Sequence, residues 1–115
     1  MRVIKRVAKQ EVEIEVYQGI TSGGDGSVAY DSPQTIEGRF VEMTEVARSA
    51  DGEEVRTTLS GWVDGIESPL PAENDRITFP VSGRTYKVIE ADTRRELDAG
   101  AAVDHVKVKC IEEGA

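Results

Sequence analysis

The chain has a single cysteine, a single histidine and a single tryptophan in 115 residues, and aromatic side chains make up only 5% of it. One thiol cannot form an intramolecular disulfide, and Cys110 shares its parity with Val106 and Val108, which places it in a core under reducing conditions. His105 has the opposite parity, beside Lys107 and Lys109. In a regular strand it therefore cannot serve as base to that thiol. A metal centre needs a cluster of ligands, and one Cys and one His with scattered carboxylates do not make one. No apolar run approaches the ~20 residues of a membrane helix. Residues 1–10 also lack the apolar stretch of a signal peptide, so synthesis and retention in a cytoplasm are expected. The glycines of Ser22-Gly23-Gly24-Asp25-Gly26-Ser27 are not followed by the Lys-Ser/Thr of a phosphate-binding loop, and Asp25 and Asp31 lack the acidic ladder of a calcium loop. None of the 22 acidic residues is singled out as half of a catalytic pair. The expectation is a protein that is not an enzyme and uses no metal and no cofactor.

What the chain does have is alternation. Val12, Ile14 and Val16 face one way, and Glu11, Glu13 and Glu15 the other. Residues 33–42, 55–63, 74–79, 81–89 and 105–109 repeat this period of two, and no long segment has a helical period. These runs predict an all-β fold, a small β-barrel or sandwich of about six to eight mostly antiparallel strands with long loops. The expected core comprises Val12, Ile14, Val16, Ile36, Phe40, Leu59, Ile77, Phe79, Tyr86, Val88, Val106 and Val108. Residues 18–32 and 92–104 read as the long loops, Asp51-Gly52 as a turn, and Pro69 and Pro71 as a linker between two sheets. Trp62 falls on the polar face of its strand unless Gly61 marks a bulge, which makes it a candidate subunit contact.

Charge divides the chain in two. The net charge is −8, yet Arg2, Lys5, Arg6 and Lys9 occur without an acid in the first ten residues, giving +4 there and −12 over the remainder. The reading is a basic N-terminal arm over 1–10 and one β-barrel domain over 11–115. An acidic body repels a phosphate backbone, which disfavours sequence-specific nucleic-acid binding but suits the wall of a channel through which DNA slides.

The succession Asn74-Asp75-Arg76-Ile77, Gly83-Arg84-Thr85-Tyr86 and His105-Val106-Lys107-Val108, with the order of elements from Glu11 to Cys110, resembles the small head-closure proteins of tailed bacteriophages. These are stopper-like ring components that join capsid to tail. The pattern has a glycine where this chain has Asn74. The resemblance implies a virion structural protein made in the host bacterial cytoplasm and placed in the neck. It would form a six-fold or twelve-fold homomeric ring between portal or adaptor and tail, around packaged DNA and away from any membrane. It also implies loops that reach toward neighbours or the channel. Gly23, Gly24, Asp25, Gly26 and Asp31 are the candidate gate, and Arg2, Lys5, Arg6, Lys9, Trp62, Arg94 and Arg95 the candidate contacts between subunits or rings. A tail-completion (tail-terminator) ring shares these traits. A monomeric oligonucleotide-binding barrel would instead need a basic strand face with interleaved aromatics, whereas the aromatics here are scattered among acids.

Overall fold

The computed structural model describes residues 8–20, 28–49, 51–95 and 103–113. They form eight strands and no helix: β1 (Gln10–Glu15), β2 (Tyr17–Ile20), β3 (Val28–Tyr30), β4 (Gln34–Arg48), β5 (Glu54–Asp64), β6 (Arg76–Thr78), β7 (Thr85–Arg95) and β8 (Val103–Glu112). Six of them close into an antiparallel barrel in the order β1-β4-β5-β8-β7-β6, and β2 and β3 make a separate two-stranded arm. Closure depends on β1 pairing on both sides. Val12 lies opposite Ile36 of β4, and Ile14 lies opposite Ile77 of β6.

Alternation decides what fills the barrel. Ten of the twelve expected core residues are buried, while Val16 and Phe79 are half-buried. Phe79 still packs on the core, edge-on to Phe40 at 5.3 Å and to Tyr86 at 5.6 Å between ring centroids. Cys110 is fully buried in this cluster, and burial pushes its thiol up to about 12. It therefore stays protonated and unreactive at neutral pH.

Four local devices shape the strands and their connections. The β4–β5 turn has Gly52 at φ 92°, with the Asp51 carboxylate accepting from Glu53 N at 3.1 Å. The β6–β7 turn has Gly83 at φ 79° and a bond from Gly83 N to Phe79 O of 2.7 Å. Asn74, at the position where the resembling pattern has glycine, adopts φ 75°, a left-handed conformation that asparagine tolerates better than most side chains. The fourth is a register shift in β4 between Glu42 and Glu45, so the bulge sits in β4 and not at Gly61.

The structure revises three expectations. Residues 18–32 are not one loop, because β2 and β3 occupy much of the segment. Residues 92–104 are not one loop either, since Asp92, Thr93 and Arg94 pair with Lys107, Val106 and His105 and extend the β7–β8 ladder. Both extensions pair without burying an apolar face, so they leave no periodic signal. The Pro69 and Pro71 segment joins β5 to β6 within one closed barrel and does not link two sheets.

Gly61 and Gly38 form the floor beneath Phe40. A Cβ on Gly61 would stand 2.4 Å from the Phe40 ring, and one on Gly38 would stand 2.9 Å from it. Gly61→Ala should therefore destabilise the fold by about 1–3 kcal/mol, read from the midpoint of urea unfolding. Combining it with Phe40→Leu should cost less than the sum of the two single changes, because the smaller side chain vacates the overlap.

Candidate assembly surfaces

The arm is fastened where it leaves the barrel. Asp75 is only 2% exposed, and its two carboxylate oxygens accept from Tyr17 N at 2.8 Å and Ala72 N at 2.9 Å. Burial raises its pKa above the usual carboxylate range, and the two backbone donors act the other way. Its own backbone accepts from Val88 N at 2.9 Å. One side chain thus joins the base of β2, the Pro-rich connection and the start of β6.

Arg76 holds the other strand of the arm. Its guanidinium carbon lies 4.0 Å from the centroid of the Tyr30 ring, and Tyr30 packs edge-on to Tyr17 at 5.8 Å. Arg76 Nε is 3.1 Å from Glu15 Oε1, a charge contact off the hydrogen-bonding axis, since Nε is buried without an aligned acceptor. Burial and then the Glu113 charge lift the Tyr30 phenol above its ordinary pKa.

A second surface lies outside the barrel along β8. Beyond the bulge, the far half of β4 is tied to the outward side chains of β7 and β8. Lys109 Nζ donates to Val46 O at 3.0 Å, and Arg48 N donates to Glu90 Oε1 at 3.0 Å. Glu45 accepts from the buried Ser60 hydroxyl and lies 3.4 Å from Lys107 Nζ. The Ser60 hydrogen bond, then Lys107, holds the Glu45 carboxyl below its usual range. Ala47 and Ile89 are buried apart from the main core cluster.

Two further regions stand out. Glu11 of β1 lies directly opposite Glu37 of β4, a like-charge pair that costs stability, and Glu67 reaches the same place by accepting from Glu37 N at 3.1 Å. The other region is a mouth of about 300 Å³ at one end of the barrel, where Phe40, Leu59, Phe79 and Tyr86 line the wall. Arg84 crosses its rim, 3.3 Å from Glu42 and 3.9 Å from Glu112. Among the described residues no group of three or more His, Cys, Asp or Glu could hold a metal ion.

The sequence-derived candidates are dispersed over these surfaces. Trp62 is half-buried on the outer face, with Lys107 Nζ 5.5 Å from its ring centroid. Lys9 pairs with Asp64 at 3.2 Å. Arg94 is not on a loop: it sits on β7 and pairs with Asp92 at 2.9 Å, and Arg95 closes the same strand. Asp31 is not at the tip of the arm but at its base, where its N donates to Val16 O at 2.9 Å and its carboxylate accepts from Gln18 at 2.8 Å. Arg2, Lys5, Arg6, Gly23, Gly24, Asp25 and Gly26 lie outside the described residues. Local sequence does not mark Asp75 as an anchor, because its partner Tyr17 is 58 residues away. The adjoining Asn74, standing where a glycine was expected, was the one local clue.

No protein-family model matches the chain, and no curated protein matches it. Among solved structures it is similar to the phage-like element PBSX protein xkdH from Bacillus subtilis, with a TM-score of 0.54 and 16% identity over 94% of this chain and 96% of that one. At that identity the likeness shows a shared fold, and it extends over nearly all of both chains.

The arm base gives a direct test. Asp75→Ala leaves two backbone donors without their acceptor and should cost about 1–3 kcal/mol for each donor left buried. Asp75→Asn keeps one acceptor and should cost less. Hydrogen exchange at the Tyr17 amide should accelerate in both variants, beyond any change at the Val106 and Val108 amides in the barrel core.

Proposed function

We propose that this protein is a structural component of a tailed-phage particle, a head-closure ring that joins head to tail. The observation that carries this reading is the fold likeness, over almost the whole of both chains, to a protein of a phage-like element. The residue-level resemblance from Glu11 to Cys110 supplies the narrower role. In this reading the subunit forms a homomeric ring between portal or adaptor and tail and performs no catalysis. A tail-completion ring is the neighbouring alternative, and recovery of the protein with heads or with tails from disrupted particles separates the two.

The physical features support such a role. Closure removes the edges of the barrel itself, which leaves side chains, the β2–β3 arm, the strand extensions and the chain terminus to engage partners. The acidic body suits DNA in transit, which must pass without adhering. The oligonucleotide-binding alternative loses support from the same geometry. Phe40 and Tyr86 are buried, Tyr17 and Tyr30 pack on each other, and Lys107 and Lys109 are tied to β4. Stacking platforms on a basic groove require those groups to be available.

Each end of the chain's charge pattern has a place in this scheme. The basic residues Arg2, Lys5 and Arg6 match the acidic face of Glu11, Glu37 and Glu67 on an adjacent subunit or ring, while Lys9, paired with Asp64 of its own chain, would fix where the basic segment leaves the barrel. Each exposed contact is worth roughly 0.2–1 kcal/mol, and the contacts repeat around the ring. Segment 23–26, with Gly23, Gly24, Asp25 and Gly26, joins β2 to β3, so the anchored arm would carry it toward the channel. Asp31 at the base would add acidity to the arm without being part of the gate.

Two deletions test this. Removing residues 2–9 should leave the barrel folded and lower attachment to DNA-filled heads, with a deficit that shrinks as salt rises because screening weakens the wild-type contact. Attachment unchanged across the salt range would remove the arm from the interface. Shortening 23–26 should give particles that assemble yet lose genome before the tail joins, measured as protected DNA per head. Full retention of DNA would show that this segment does not form the plug.

A further inference from the structure

The far half of the β4–β5 hairpin is seated on the barrel without contributing to its core. Past the bulge between Glu42 and Glu45, none of its described residues up to Thr58 joins the main core cluster. It lies instead on the outer wall of β7 and β8. Lys107 Nζ stands 3.4 Å from Glu45 Oε2, while Lys109 Nζ donates to Val46 O and Arg48 N donates to Glu90 Oε1, each at 3.0 Å. Ala47 sits between the two residues so tied, and it and Ile89 are buried outside the main cluster. The barrel closes without any of these contacts, because its seam is made by β1 and β6.

A seat already filled shows what fits it. Every copy presents the same wall and the same hairpin, so the hairpin of one copy satisfies the wall of another as fully as its own, which is the condition for exchanging an element between subunits. Charge agrees with this: residues 43–58 hold four acids and two bases, and the wall meets them with Lys107 and Lys109. The bulge supplies the turning point. The ladder passes from Glu42 opposite Leu59 to Glu45 opposite Thr57, with Met43, Thr44 and Thr58 outside its register, a break at which the strand bends. Met43 at this break is 41% exposed and Val46 just beyond it 54%. A hairpin that crosses to a neighbour brings both apolar side chains into the junction between two bodies.

We infer that this hairpin is exchanged between neighbouring copies, each one seated on the β7–β8 wall of the next. The inference rests on the ring reading above and names its subunit contact. Exchange runs from one copy to the next in a single direction, a heterologous contact that closes into a ring when the rotation per step closes. The seat contacts are the same in both arrangements, so the balance between them is set by the local concentration of walls and by the burial of Met43 and Val46. Dilute copies keep their own hairpin. Copies gathered on a head reach the millimolar effective concentrations at which a neighbour's wall competes.

Isotope mixing tests the exchange. Unlabelled and isotope-labelled subunits are combined in equal amounts, bound to DNA-filled heads and treated with a carbodiimide, which joins the Glu45 carboxylate to the Lys107 amine as an amide. After proteolysis, mass spectrometry should find cross-linked peptides of mixed label as abundant as those of like label, whereas the same mixture kept dilute should give like label alone. Like-label peptides alone on assembled heads would overturn the proposal. A lock within one chain gives a second arm. Ala47→Cys with Ile89→Cys, oxidised while dilute, should keep the circular dichroism spectrum and lose incorporation into heads until a reductant is added; Cys110 stays silent because its thiol is buried. Incorporation of the oxidised chain at the wild-type level would also overturn the exchange. Subunit counting on heads by native mass spectrometry distinguishes the failures. Complete rings with like-label peptides alone refute the exchange and keep the ring reading. Mixed-label peptides from concentrated solution without rings on heads refute the ring reading and keep the exchange, and the absence of both overturns both.

Discussion

Barrel closure rests on a seam of three residue pairs, in which Glu13, Ile14 and Glu15 of β1 lie opposite Thr78, Ile77 and Arg76 of β6. So short a ladder contributes few hydrogen bonds, and what fixes it is the buried Asp75 carboxylate at its end. That group positions β6 through Ala72 N and the arm through Tyr17 N. Remove the seam and β1 and β6 both become edges, exposing the row of unpaired groups that closed barrels avoid. The remainder of the fold follows from closure. The core fills from inward residues of all six strands, and the elements beyond them are left to reach outward.

Most of the barrel is legible in the sequence because a half-buried strand writes its own period. Val12 and Ile14, Ile77 with Tyr86 and Val88, and Val106, Val108 and Cys110 all alternate and are all buried. What escapes is structure that pairs without burying. β2 and β3 flank a glycine-rich stretch, and the upper part of β7 carries Asp92, Thr93 and Arg94 with no apolar face to mark them. The far half of β4 is hidden for another reason: the bulge between Glu42 and Glu45 changes the parity partway along, so that Met43 and Val46 are exposed while Ala47 is buried. Of the candidate surfaces, the placement of Trp62 outside the barrel was readable from parity. The Asp75 anchor was not, because it depends on a residue at the other end of the chain.

The polar face of β8 shows how composition can mislead about charge. His105, Lys107 and Lys109 form a basic run in sequence, but His105 contacts Asp104 at 2.8 Å, Lys107 reaches Glu45 and Trp62, and Lys109 caps a carbonyl of β4. The opposite holds on β1 and β4. Glu11 and Glu37 are placed side by side, at a cost in stability.

The anchored arm base has a mechanical consequence. Tension applied between β2 and the β6–β7 turn runs along the β1–β6 seam, and its hydrogen bonds, lying across the pull, are loaded together in shear. The ties that hold the far half of β4 to β8 are single side-chain contacts and give way one at a time. Under such a load the chain therefore has a stiff line through Asp75 and a compliant flap in the far half of β4. Its resistance is set by the rate at which the seam opens rather than by equilibrium stability.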